Sequence, residues 1–244
     1  MPKCWTSREQ KILRRQTPYT SSAVGARVAP VAQRTVSAPE EIIATGLPRL
    51  LDGPATADDV IRVLCEAFAE YPVMRYVLGD RGDYAARLRT LIGFCHGARV
   101  LRDDAILGIS EGAELVGVAL CSLPDRMNPP ALADLRERIW SELGADARER
   151  YDEFGRAWEQ LGVAEPNIHV NMLAVPPRHQ GRGLARTLLE RVHAMSRERE
   201  DSRGVTLTTE SAANVALYEH LGYKVVGHRP VGPGLKTWGF YRPD

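Results

Sequence analysis

Residues 168–185 constrain this chain more than any other stretch. They run Ile168-His169-Val170-Asn171-Met172-Leu173-Ala174-Val175 as a strand, turn at Pro176-Pro177, and pass through Gly181-Arg182-Gly183 into a helix. The helix is legible because Leu184, Leu188, Val192 and Met195 fall on one stripe, with charged residues between them. Two glycines where a strand feeds a helix let the backbone approach a ligand with no Cβ in the way. The unpaired N–H groups of the helix start, together with the helix dipole, favour an anion there. Arg178, Arg182 and Arg186 surround the same turn. The segment reads as a cradle for a diphosphate.

The kind of diphosphate is narrowed by what is missing. A dinucleotide fingerprint needs a third glycine where Arg186 stands, and no βαβ unit opens the chain. A P-loop needs Gly-Lys-Ser/Thr, which is absent from the segment. The net charge of +1 argues against a dedicated nucleic-acid or membrane surface, and no apolar run approaches the ~20 residues that span a bilayer. Cys4, Cys65, Cys95 and Cys121 lie far apart without metal or redox spacing. They read as reduced, inert thiols, and no metal is expected.

Up to Pro39 the chain holds seven Lys or Arg and one Glu, with many hydroxyl and small residues and no sustained periodicity. Residues 1–47 are therefore expected to form a disordered basic extension. Its composition is compatible with organelle targeting, but a cytoplasmic location is the preferred reading. The folded domain is expected over residues 48–244. Leu47 to Leu51 reads as a short strand. A helix starts at Thr56-Ala57-Asp58-Asp59, buries Val60, Leu64, Ala67 and Phe68, and stops near Tyr71-Pro72. A second helix carries Tyr84, Leu88, Leu91, Ile92 and Cys95. Residues 105–110 and 114–123 form a hairpin across Glu111-Gly112. Two helices follow, with stripes at Leu132, Leu135, Ile139 and Leu143 and at Ala147, Tyr151, Phe154, Trp158 and Leu161. The aromatic positions of the second stripe either pack in the core or line an acceptor pocket. After the cradle helix come a strand ending at Glu210, a short helix over Asn214 to Leu221 capped by Gly222, and two closing strands. This order specifies one mixed α/β domain with helices on both faces of the sheet.

A second motif, Glu210-Ser211-Ala212-Ala213-Asn214-Val215-Ala216-Leu217-Tyr218-Glu219-His220-Leu221-Gly222-Tyr223, lies one helix and one strand after the cradle. Together with Arg178-x-x-Gly181-x-Gly183 it resembles the GNAT-type N-acetyltransferases. The resemblance is closest to puromycin N-acetyltransferase-like members. There it rests on Ala67-Phe68-Ala69-Glu70-Tyr71-Pro72, on His179 to Leu184, on Glu210-Ser211 leading to Asn214, and on Gly232-Pro233-Gly234 before Lys236-Thr237-Trp238. It covers about residues 48–244, with gaps in the middle helices that shape the acceptor site.

The resemblance implies a GNAT-type fold: a mixed, mostly antiparallel, twisted sheet of about six or seven strands. It implies acetyl-CoA as co-substrate, with the backbone of Leu173, Ala174 and Val175 pairing with the pantetheine amides. The amides of Gln180, Gly181, Arg182, Gly183, Leu184 and Ala185 would hold the pyrophosphate, with charge from Arg178, Arg182 and Arg186. Tyr218 is the expected general acid for the departing thiolate. Asn214 would bind CoA, orient its helix or cap it. Glu210 or His169 is the candidate general base. The expected reaction is direct transfer to a primary amine of a small molecule in a ternary complex, by a monomer or homodimer. The alternatives are a protein or peptide N-acetyltransferase and a non-catalytic acyl-CoA sensor.

Overall fold

The computed structural model describes residues 46–244. The expected extension over residues 1–47 lies outside the described residues except for its last two positions. Seven strands form one sheet in the order β1-β2-β3-β4-β5-β7-β6. These are β1 (Arg49–Leu50), β2 (Ile106–Glu111), β3 (Glu114–Ser122), β4 (Ile168–Ala174), β5 (Gly204–Thr209), β6 (Lys224–Gly232) and β7 (Leu235–Pro243). Every pairing is antiparallel except that of β4 with β5. The mixed, mostly antiparallel sheet matches the expectation.

Helices cover both faces. On one lie α1 (Ala57–Phe68), α2 (Pro72–Leu78), α3 (Tyr84–Leu101), α4 (Pro130–Leu143) and α5 (Ala145–Glu159); on the other lie α6 (Leu184–Arg197) and α7 (Ala213–His220). Each layer has its own apolar core. Leu64, Leu78, Ile92, Val118, Leu120, Met172 and Ala174 fill the first, and Ile168, Val170, Leu188, Val192, Leu207 and Phe240 fill the second. Of the aromatic stripe on α5, Tyr151 and Phe154 pack against the first core, while Trp158 stacks edge-on over His169 with ring centres 5.1 Å apart.

Helix α2 corrects the sequence reading. Tyr71-Pro72 does lie where α1 has ended, but Pro72 also occupies the first position of a new helix, where its missing N–H costs nothing and its fixed φ is already helical. The same residue both stops one helix and starts the next.

Two irregularities position the functional region. Strand β4 carries a bulge at Asn171: Leu120 pairs with Met172 while its neighbour Cys121 pairs with Val170. The bulge switches faces, so that Ile168 and Val170 join the α6 core while Met172 and Ala174 join the α1–α4 core. The parallel ladder between β4 and β5 also ends here. It consists of Ile168, His169 and Val170 opposite Val205, Thr206 and Leu207. Beyond it β4 stays with β3 and β5 with β7. The sheet therefore splits from Asn171 onward and leaves one edge of Asn171–Ala174 unpaired.

Candidate active site

The cradle takes the expected local form. After β4 the chain makes a 3-10 turn over Pro177–His179 and reaches Gly181 at φ 75° and Gly183 at φ 81°. Gly183 is the left-handed residue that starts α6. A Cβ at either glycine would meet no protein atom within 4 Å, so both face open space. Among the described residues, the first loop-to-helix bond is Thr187 N to Gly183 O at 3.0 Å, and the amides of Arg182, Gly183, Leu184, Ala185 and Arg186 have no backbone acceptor. Five donors aimed past a helix N-terminus suit an anion. Gln180 turns inward, its side-chain amide donating to Val175 O at 3.0 Å, which fixes the exit of β4.

Two of the arginines around the cradle are held by carboxylates. Arg178 pairs with Glu66 of α1 and, at 2.6 Å, with Glu114 of β3. Arg182 makes a two-pronged pair with Glu111 at 2.6 and 3.1 Å. Arg186 borders a separate cavity of about 370 Å³ with Leu189, Glu190, His220, Leu221 and Arg242.

At the end of β5 a second cluster forms where the sheet has split. Glu210 is 8% exposed, and its Oε1 accepts a hydrogen bond from the Thr237 hydroxyl at 2.7 Å. Burial pushes its carboxyl up to about 7, even though hydrogen bonds from Thr237 and Tyr71 pull the other way. The Tyr71 hydroxyl bonds Thr209 Oγ1 at 2.8 Å and accepts from the Glu210 amide at 3.0 Å. Asn214 donates to the same Thr209 oxygen at 3.1 Å, tying the start of α7 to the end of β5. Of the three roles open to Asn214, orienting its helix is the one this bond performs. Tyr218 packs its ring against Phe240 and Tyr223, with centres 5.4 and 6.1 Å away. Burial, then the charge of Glu210, raises its phenol to about 12, so it holds its proton at neutral pH.

His169 sits apart from this cluster. It belongs to the paired part of β4, opposite Thr206, and Glu210 lies four residues farther along β5, roughly 13 Å at strand spacing. The Thr206 hydroxyl donates to Asn167 Oδ1 at 2.5 Å, so His169 Nδ1, 3.0 Å from that oxygen, donates to it. Burial, then the nearby Arg99, lowers the imidazole to about 3. It is a neutral ring held under Trp158, and a weak proton acceptor.

Sequence reasoning did not single out Tyr71, Thr209 or Thr237 as site residues, nor Arg99. Arg99 reaches from α3 to donate to Asn171 Oδ1 at 2.7 Å and also bonds Ser122, pinning the bulge. Its other partner is Asp104, whose side chain is fully buried. Tyr71 and Thr237 lie inside stretches that carry the resemblance, Ala67–Pro72 and Lys236-Thr237-Trp238; Thr209 and Arg99 act through contacts far apart in sequence.

Residues 156–238 match the family model described as an acetyltransferase (GNAT) domain. A search of curated proteins finds no match. Among solved structures, the chain is similar to one of histone acetyltransferase HPA2 and related acetyltransferase from Corynebacterium glutamicum. The identity is 21% and the TM-score 0.62, over 82% of this chain and 96% of that one. It is also similar to an agmatine N-acetyltransferase, at 17% identity and TM-score 0.55, over 81% of this chain and 98% of that one. A polyamine N-acetyltransferase of Drosophila melanogaster matches at 16% identity and TM-score 0.53, over 81% and 99% of the two chains. At these identities the structures speak to the fold. The chain has the fold of these acetyltransferase structures, and its residues 156–238 match the acetyltransferase (GNAT) domain model.

Proposed function

We propose that this protein is an acetyl-CoA-dependent N-acetyltransferase that acts on a primary amine of a small molecule. The observation that carries the reading is the placement, at the end of β5 where the sheet has split, of a buried carboxyl (Glu210, held by Thr237 and pushed up to about 7) whose charge reaches the buried phenol of Tyr218, pushed up to about 12. Two groups whose environments set them that far apart can divide the work of base and acid.

The chain fits the donor in two places. The acceptor-free amides of Arg182 to Arg186 and the open space over Gly181 and Gly183 suit the pyrophosphate. The unpaired edge of Leu173 and Ala174 suits an extended amide-bearing arm. Acetyl-CoA supplies the acetyl group as a thioester. Glu210 accepts the proton of the attacking amine, directly or through the Tyr71 hydroxyl, and Tyr218 donates a proton to the departing thiolate. His169 is the weaker candidate base, because its ring nitrogen is tied to Thr206 and its basicity is suppressed. The agmatine and polyamine enzymes of the same fold support a small amine as acceptor. The narrower likeness to puromycin N-acetyltransferases adds aminonucleosides to the acceptors worth testing.

The test is thiol release from acetyl-CoA with a panel of aminonucleosides, polyamines, agmatine, aminoglycosides and peptides. Turnover with a small amine is expected, and Tyr218→Phe should lower kcat by ~10²-fold with donor affinity unchanged. Donor binding without turnover on any amine would favour the sensor reading, and turnover on peptides alone the protein-modifying one.

A further inference from the structure

Arg182 stands between two glycines that both have positive φ, the loop position with the most backbone freedom to lose. Both terminal nitrogens of its guanidinium are nevertheless held. Nη1 and Nη2 each meet one oxygen of Glu111, at 3.1 and 2.6 Å, in the fork-to-carboxylate geometry that fixes orientation as well as distance. Arg178, at the other end of the loop, has one terminal nitrogen on Glu66 and the other on Glu114. His179 sits between them, its Nδ1 3.3 Å from Arg182 Nη1 and its Nε2 3.5 Å from Glu114 Oε1. Glu111 ends β2, Glu114 begins β3, and the two are register partners across the hairpin turn. The loop is thus strapped at two points to one hairpin tip, and through Glu66 to α1.

The charge balance speaks against these arginines as phosphate ligands. With Arg62 also on Glu66 at 3.0 Å, three carboxylates face three guanidiniums, so the cluster has no net positive charge to offer an anion, and freeing either loop arginine would expose a carboxylate beside the phosphates. Exposed pairs of this kind add little to global stability, so their effect lies in geometry. We propose that Arg178 and Arg182 are positioning residues that brace the cradle loop through Glu66, Glu111 and Glu114, so that the loop amides, and not the arginines, hold the donor's diphosphate.

The proposal rests on the acetyl-CoA reading, and a neutral double-mutant cycle on the full chain tests it. Acetyl-CoA affinity is measured by calorimetry for wild type, Glu111→Gln, Arg182→Gln and the double variant. With a brace, each single change weakens binding by ~3–10-fold and the double is no worse than either single. The donor KM rises by the same factor, while kcat at saturating donor stays at the wild-type value. Arg182→Lys, which keeps the charge but loses the fork, should behave like Arg182→Gln. If Arg182 binds phosphate itself, Glu111→Gln leaves affinity unchanged or improves it, only the arginine variants lose it, and the proposal falls. A thermal melt on each variant separates loss of the brace from loss of folding, because a brace lowers affinity with the melting temperature within a few degrees of wild type. Wild type that fails to bind acetyl-CoA overturns the donor reading itself, a result distinct from any pattern among the variants.

Discussion

At the scale of single residues, the proposed chemistry turns on Glu210. A carboxyl at a strand end would ordinarily be ionised well below neutrality. Here burial lifts it to about 7, against the pull of the hydrogen bonds from Thr237 and Tyr71. As a base it works only when ionised, so kcat at saturating substrates should rise with pH through an apparent value near 7. Glu210→Gln should remove that limb and lower kcat by ~10²–10³-fold. A variant that keeps the same pH profile would move the base elsewhere. Glu210 and Tyr218 could be singled out as candidates from the sequence because both lie in one local motif. Tyr71 lies in a quoted stretch, but its contacts could not be read there, since they are with Thr209 and the Glu210 amide, more than 130 residues away in the chain. The same distance hid the ion pairs of Arg178 and Arg182, whose partners Glu66, Glu111 and Glu114 are brought across by the fold.

At the scale of elements, the strand–loop–helix unit was legible almost residue by residue. Its strand alternation, prolines, glycines and helical stripe are all short-range signals. Two features around it were not. Helix α2 was masked because Pro72 is a helix stop when read from one side and a helix start from the other. The Asn171 bulge was masked because inserting one residue breaks the alternation on which strand reading depends. Gly183 gives the element-level test. Alanine there must adopt φ near 81°, which should cost roughly 1 kcal/mol, while its methyl would stand in open space. Gly183→Ala should therefore fold with a slightly lower melting temperature yet lose ~10-fold or more in donor affinity. Equal donor affinity in the two proteins would mean that the space above this loop is not ligand space.

At the scale of the whole molecule, stability and activity meet in their response to pH. Burial keeps His169 and His193 neutral in the fold, lowering them from 6.5 to about 3 and about 4. The unfolded chain takes up these protons as pH falls through 6.5 and the folded chain does not. Their contribution to stability is thus present above that value and lost on acidification. Glu210 has the opposite sign: raised from 4.5 to about 7, it weakens the fold as pH rises through that window and is relieved on acidification. The two effects oppose each other between pH 7 and pH 5. Glu210→Gln removes the relief, so its melting temperature should fall by about 3–6 °C more than that of wild type over this interval. Parallel melting curves would show that the carboxyl is not shifted. The split sheet has a mechanical consequence as well. Among the described residues, the ladder between β1–β4 and β5–β7 is three residue pairs, Ile168 to Val170 against Val205 to Leu207, with the Arg203 N–H on Pro166 O at 2.8 Å just before it. Past that seam the molecule is a clothes-peg whose jaws are two half-sheets and whose spring is a three-rung ladder. On the proposed acetyl-CoA reading, a donor seated along Leu173 and Ala174 would add rungs to the ladder, and the protein would reach its full stiffness only while holding it.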